Sequence, residues 1–586
     1  MKLNLWWLFL LPTLLTAQDF SDTKICELIQ EYKTDRRGPY RDIRWFCSNG
    51  EINMPREPCK DDPDAVQHAR MKPTVEAIAD DRHVFLGQIL TGTENWKFWN
   101  AANDHSRLKQ YQLGKFLMNA DNGWVLESGQ YYRGAFQVED EREWGQDFLR
   151  WMLSDNDRLR ENFFLLRQAV KTIPHNEETD LTQRVRAISK QISEDYEPFF
   201  DIRIKIHGQP SASDLVATRD SFVEHQEELN IDQRVEFTKL IEDMKELYQP
   251  ANLENLSVYI KDLPNGNQLT RQLNNYIKYH ATSKNKTAQL LATAEMLWSI
   301  RTQLEDITGS RARLAAMDIS NEIESIYFKE IDQWQTENTA DLLEKVCYTA
   351  MASAGAGFVE EWEWEQTEGR LTVPAADSIA VRKLHNYLER ARGMVEWGTG
   401  TVSAAYGETV ELYAGFEPLA HDFTDDLIRS SVLLRLGQVV SELGNIISEK
   451  AGLSNQIFAV SDQAAARGLN PGYAKGELVI VDGNAEDLTV DPSKIYVFRR
   501  PPSDLKPVAG IATVSEGNMV SHVQLLARNL GIPNAVISVE NLDELKDYAG
   551  EEVFYAVTNS GTVMMKTVDR LTDTEQGLLQ NRFVML

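Results

Sequence analysis

His522 lies in the run Gly517-Asn518-Met519-Val520-Ser521-His522-Val523-Gln524-Leu525-Leu526-Ala527-Arg528-Asn529-Leu530-Gly531-Ile532-Pro533. The pattern predicts the order strand, turn, helix, turn, strand. Ser521 reads as an N-cap, which puts His522 in the first helical turn. Backbone N–H groups there have no intrahelical partner, and the helix dipole favours negative charge. Neutral imidazole is abundant near pH 7 and nucleophilic, and a phosphorylated ring remains a reactive donor, so a phosphoryl group could be taken up, held and passed on at this position. A serine ester would be too inert for onward transfer. Taken alone, a histidine at a helix start is ordinarily a surface residue, so the weight falls on its neighbours. Arg528, six residues further on, lies well around a regular helix from His522 and reads as structural rather than as a phosphate ligand.

The elements that must position this segment are short β-branched runs separated by glycine and proline. Glu477–Val481, Ile495–Phe498, Ile511–Val514, Ala535–Val539, Val553–Val557 and Thr562–Met565 all read as strands. Asn559-Ser560-Gly561 reads as a hairpin turn between the last two. With helical pieces at Ser521–Leu530 and Leu542–Tyr548, residues 456–567 form an expected compact α/β domain. Residues 141–455 instead carry long amphipathic segments with apolar residues three and four apart, the mark of a helical region. Residues 18–140 are irregular, with turn-formers and a hairpin-like stretch from Gly123 to Phe136, and read as a small mixed region.

Ser521-His522, Ala527-Arg528 and Gly531-Ile532-Pro533 resemble the phosphohistidine motif S-H-x-x-x-x-A-R-x-x-G-I-P of pyruvate phosphate dikinase and phosphoenolpyruvate synthase. The upstream Gly510-Ile511-Ala512-Thr513 and Glu516-Gly517 resemble the strand and glycine turn preceding it. Val520-Ser521-His522-Val523 followed by Ala527-Arg528-Asn529 is closer in detail to the glucan water dikinases. The resemblance covers residues 472–566 well, extends more weakly over 415–470, and leaves the first four hundred residues unmatched. It implies a swivelling domain of three-layer β/β/α type, with His522 as the transient phosphohistidine. That domain swings between an ATP-grasp domain and an acceptor site, a tethering that raises effective concentration at both. Ser461–Gly472 and the stretch after Lys566 are the candidate linkers.

The departures from that family bear equally on function. No glycine-rich phosphate loop stands among suitable strands. Ser353-Ala354-Gly355-Ala356-Gly357-Phe358 sits in an apolar helical context and reads as close helix packing. A phosphoenolpyruvate-binding barrel is not legible either. The chain itself is expected to bind no cofactor. ATP and Mg enter only with an ATP-grasp domain, which is expected as a separate chain or beyond a truncated end at residues 568–586. The acceptor, a small molecule or a glucan, is not legible.

The 586 residues exceed what one core supports, so several domains are expected. A formal charge of −28 argues against nucleic acid or an anionic membrane as partner. Residues 1–17 combine Lys2, an apolar run from Leu5 to Leu15 and a small residue, Ala17. This reads as a cleaved secretory signal, implying a secreted or periplasmic protein with no membrane attachment after cleavage. Such a compartment permits one disulfide among Cys26, Cys47 and Cys59, with all pairings open, while Cys347 reads as a buried free thiol. No cysteine or histidine pair has the spacing of a metal site, and the remaining histidines read as surface or satisfied core residues. In Glu360-Glu361-Trp362-Glu363-Trp364-Glu365 the tryptophans are expected to pack inward.

The expected architecture is therefore multidomain: a mostly α-helical N-terminal region followed by a C-terminal α/β swivelling domain. The expected function is that of the phosphoryl-carrier part of a dikinase- or phosphoenolpyruvate synthase-like phosphotransferase. The rival from another class is a secreted or periplasmic helical binding protein with a non-catalytic swivelling domain. Scarcity of ATP outside the cytoplasm leaves two alternatives open, another donor or lost carrier chemistry.

Overall fold

The computed structural model describes residues 20–571 except 36, 121–124, 126–136, 176–180, 201, 204–205, 207–211, 248–252, 282, 374–377, 451–455, 459–465, 484, 486–487, 501–507, 515–526, 528–531 and 559–560. Residues 1–17 with the signal-like pattern, the Gly123–Phe136 hairpin apart from Val125, and residues 572–586 of the C-terminal tail thus fall outside the described residues. The chain divides into two compact units, one of residues 1–140 with 411–420 and one of 141–410 with 421–586.

The first unit holds helix α1 (Asp22–Thr34), strands β1 (Tyr40–Phe46), β2 (Ile52–Asn53) and β3 (Val66–Met71), and helices α2 (Pro73–Arg82), α3 (Asn95–Trp99) and α4 (Ser106–Ala120). The strands pair antiparallel in the order β2-β1-β3. The sequence reading singled out none of these three strands. β1 interleaves Arg41, Asp42 and Arg44 with its apolar residues, so no clean alternation marks it. Cross-strand charge pairing does the work instead: Arg70 on β3 sits opposite Asp42 and donates Nε and Nη2 to its two carboxylate oxygens at 2.8 and 2.7 Å. Just beyond β1, Cys47 and Cys59 form a disulfide, and Cys26 is a free thiol.

The chain next runs through α5 (Gln137–Leu153), α6 (Asn156–Glu161), α7 (Phe163–Thr172), α8 (Leu181–Asp195), α9 (Ala212–His225) and α10 (Ile231–Leu247). It continues through α11 (Gln268–His280), α12 (Lys286–Gln303), α13 (Ser310–Glu330), α14 (Thr339–Gly355), α15 (Glu361–Leu371), α16 (Val381–Ala414), α17 (Asp422–Arg429) and α18 (Val432–Lys450). No helix among the described residues is long and apolar enough to cross a membrane. The glycine-rich Ser353–Phe358 run ends α14 rather than cradling a phosphate. A Cβ on Gly355 would stand 2.6 Å from the backbone of Leu297 and Trp298, so glycine lets α12 and α14 approach closely. Trp364 is fully buried, whereas Trp362 is 57% exposed, so the acidic aromatic run packs only one of its rings. Cys347, on α14, is a half-buried free thiol whose pKa burial pushes up to about 12.

The chain then enters an eight-stranded mixed sheet made of β4 (Gln456–Ile457), β5 (Arg467–Asn470), β6 (Gly472–Val481), β7 (Ile495–Phe498), β8 (Gly510–Thr513), β9 (Asn534–Val536), β10 (Glu552–Val557) and β11 (Val563–Thr567). Its order is β4-β11-β10-β6-β7-β8-β9-β5. Strands β6 to β9 run parallel, while β10, β11 and β5 pair antiparallel with their neighbours β6, β10 and β9. The sheet curls: Gly468 N on β5 donates to Gly561 O beside the β10–β11 connection at 2.8 Å. Of the expected linker at Ser461–Gly472, residues 467–470 are strand β5, because their backbone is held by β9. Helix α19 (Val539–Leu545) opens on a Ser538 side chain that accepts from Asn541 N.

Candidate functional site

Parallel pairing of β8 and β9 makes residues 514–533 a crossover that must return the chain to the same end of the sheet. His522 belongs to this crossover and, with Ser521 and Arg528, lies outside the described residues. The frame around it is defined. Ile511 N donates to Pro533 O at 3.0 Å, and Ile537 N to Thr513 O at 3.0 Å, tying both ends of the crossover to the strands. Ala527 is fully buried and Ile532 nearly so. Both pack with Tyr496, Phe498, Val508 and Ile511. The alanine and isoleucine of the motif are therefore packing residues that hold the crossover on the sheet.

Asn470 secures the far end of the segment. Its buried Nδ2 donates to Ala527 O at 2.9 Å and to Ile532 O at 2.7 Å, satisfying two buried carbonyls of the segment. The sequence reading missed this residue. It lies 57 positions before Ala527, and only the asparagine preceding Pro471 and the start of β6 hints at a capping role. Gly510 also has a steric role, since a Cβ there would meet Tyr555 Cδ1 at 2.7 Å. The Tyr555 hydroxyl, buried and held well above its ordinary pKa by that burial, donates to Ile511 O at 2.8 Å.

In open α/β sheets, ligands meet the carboxyl ends of the parallel strands. Here those ends present Asp482 after β6, Arg499 and Arg500 after β7, and Thr513 at the end of β8. Asp482 bonds both Arg499 and Lys546, which hold its carboxyl below the usual range. The Thr513 hydroxyl is buried and has no hydrogen-bond partner among the described residues. Val514 N donates to Phe498 O at 3.0 Å, so the chain leaves β8 alongside Arg499 and Arg500. The Arg500 guanidinium lies over the Phe200 ring at 5.6 Å.

Two other ionic constellations stitch helices together. Buried Arg167 and half-buried Lys171 on α7 reach the same oxygen of Glu324 on α13 at 2.7 and 2.8 Å. His175 places Nδ1 2.8 Å from Ile173 O and Nε2 2.9 Å from Asp318 Oδ1. Both ring nitrogens are thus engaged, which fixes the imidazole between α7 and α13. His68, His83 and His105 are hydrogen-bonded to Ala69 O, Asn100 and Trp99 O, and burial lowers the pKa of the latter two. Among the described residues, one group has metal-ligand proximity: Cys47, Cys59 and Asp62. Its sulfurs are bonded to each other, so no thiolate is offered.

Comparison of the chain with models of protein families, with curated proteins and with solved structures found no match.

Proposed function

We propose that residues 456–567 are a phosphohistidine swivelling domain of three-layer β/β/α type. The chain is then the phosphoryl-carrier part of a dikinase- or phosphoenolpyruvate synthase-like phosphotransferase. The observation that carries this reading is the coincidence of motif and frame. Ser521-His522 falls in a crossover between parallel strands, and the motif's Ala527 and Ile532 are the residues that pin that crossover to the sheet.

In this reading a ring nitrogen of His522 attacks the phosphorus of a donor. An N–P bond forms as the donor's P–O bond breaks, and the leaving oxygen keeps the electron pair. After the domain rotates, an acceptor oxygen attacks phosphorus, the N–P bond breaks and the ring recovers its lone pair. ATP and Mg would be supplied by an ATP-grasp partner, and the acceptor is a small molecule or a glucan. The signal-like residues 1–17 support a secreted or periplasmic location.

The test is the isolation of the full chain from its native host under alkaline conditions, followed by mapping of acid-labile phosphate. The expected result is phosphohistidine at position 522 that disappears in His522→Ala. Acid-labile phosphate retained by His522→Ala, or none at position 522 in the wild type, sinks the proposal.

A further inference from the structure

The first unit carries a cation that its own fold leaves without a counter-charge. Arg107 stands in the first turn of α4, a helix of 15 residues with no acidic residue at its start. Gln110, one turn further on, ties the stretch after α2 to this helix: its Oε1 accepts from Phe85 N at 2.9 Å and its Nε2 donates to His83 O at 2.8 Å. The Phe85 ring is thereby held 4.9 Å from the Arg107 guanidinium, and Gln88 Oε1 accepts from Arg107 Nε at 3.2 Å.

Burial lowers the pKa of Arg107, and no carboxylate opposes that shift. At Arg158 and Arg301 burial acts in the same direction, but Asp155 and Glu361 counter it. The carboxylates near Arg107 in the chain are engaged elsewhere: Asp104 with Lys109 at 2.5 Å and Glu94 with Lys97 at 2.6 Å. An ionised group drawn out of water is costly unless it is paired. Gln88 supplies the second, independent observation. It is only 4% exposed, and its Nε2 has no hydrogen-bond partner among the described residues. Arg107 Nε can only donate, so the Gln88 oxygen must face it, which leaves the amide NH2 as a spare donor beside the guanidinium. Arg107 itself is half-buried and its Nη atoms are not shut off from solvent, so an anion reaches them without passing through a cavity.

We propose that Arg107 and Gln88 bind the carboxylate of a small organic acid. The Nη1–Nη2 edge receives the two oxygens through parallel bonds, the Gln88 amide adds a donor, and the Phe85 ring backs the guanidinium. One positive charge matches a monoanion, which favours a carboxylate over dianionic phosphate. The site belongs to the first unit and is independent of the carrier chemistry of His522.

The experiment titrates full-length protein with acetate, benzoate and glucuronate, and with inorganic phosphate as the contrast, at constant ionic strength against a chloride control, reading calorimetric heat. A saturable response to at least one carboxylate at millimolar concentration or below is expected, with a weaker one or none to phosphate. Gln88→Glu puts a carboxylate where the Gln88 oxygen now accepts from Arg107. It should abolish the response while the first unit melts no earlier than in the wild type. Arg107→Lys keeps the charge but lacks the fork, and should bind at least about tenfold more weakly. The proposal is overturned if no carboxylate saturates, if phosphate binds as tightly as the best carboxylate, or if both variants bind as the wild type does. Earlier melting of Gln88→Glu would mean that Arg107 is already neutralised within the fold, and would overturn it too.

Discussion

At the scale of residues, Glu324 shows how strongly the helical part depends on one charge. Desolvation alone would raise its carboxyl pKa, but Lys171 and Arg167 outweigh it through charge and hydrogen bonds, and the group sits at about 2 against an ordinary 4.5. A depressed folded pKa means the stabilisation is complete above the unfolded value and is lost as pH falls through the folded one. The helical signal should therefore weaken in thermal melts taken from pH 4.5 down toward 2, by roughly 3 kcal/mol from this group. Glu324→Gln should flatten that dependence. It should also cost about 3–5 kcal/mol near neutral pH, because fully buried Arg167 loses its counter-charge. Nothing in the spacing of Arg167, Lys171 and Glu324 along the chain announced this pairing, since the partners lie more than 150 residues apart.

At the scale of elements, glycine at position 355 is required by a helix crossing rather than by a phosphate. Gly355→Ala places a methyl 2.6 Å from the backbone of α12, which no side-chain rotation can relieve. The expected cost is about 1–3 kcal/mol, read as a lower urea midpoint with unchanged m-value. The helical context of Ser353–Phe358 made this legible in advance. The strands β6 to β11 were legible too, because buried parallel strands such as Ile495–Phe498 are continuous apolar runs. Strands β1 to β3 were not, since their pairing rests on Asp42 and Arg70. The short β5 hid within a glycine- and proline-bounded stretch that resembled a linker.

At the scale of the whole molecule, the two compact units differ in what secures them. The first has a covalent staple, Cys47–Cys59, closing a loop with a sequence separation of 12. Chain entropy predicts about 3 kcal/mol from such a closure. Reduction should lower the melting transition of the first unit and leave that of the helical part in place, as read by calorimetry with and without a reductant. The alternative pairings with Cys26 were open on sequence because spacing alone does not choose among three cysteines.

The sequence by itself determined the division into a helical stretch and a strand-rich C-terminal part, because periodicity is a local property of side-chain spacing. It also singled out His522, because a helix-start histidine with those neighbours is a short contiguous pattern. Only the tertiary structure decided that Cys47 bonds Cys59, that Asn470 holds the end of the crossover, and that Arg107 meets Gln88 instead of a carboxylate. Each of these joins residues remote in sequence, and such contacts exist only once the intervening chain has folded back on itself.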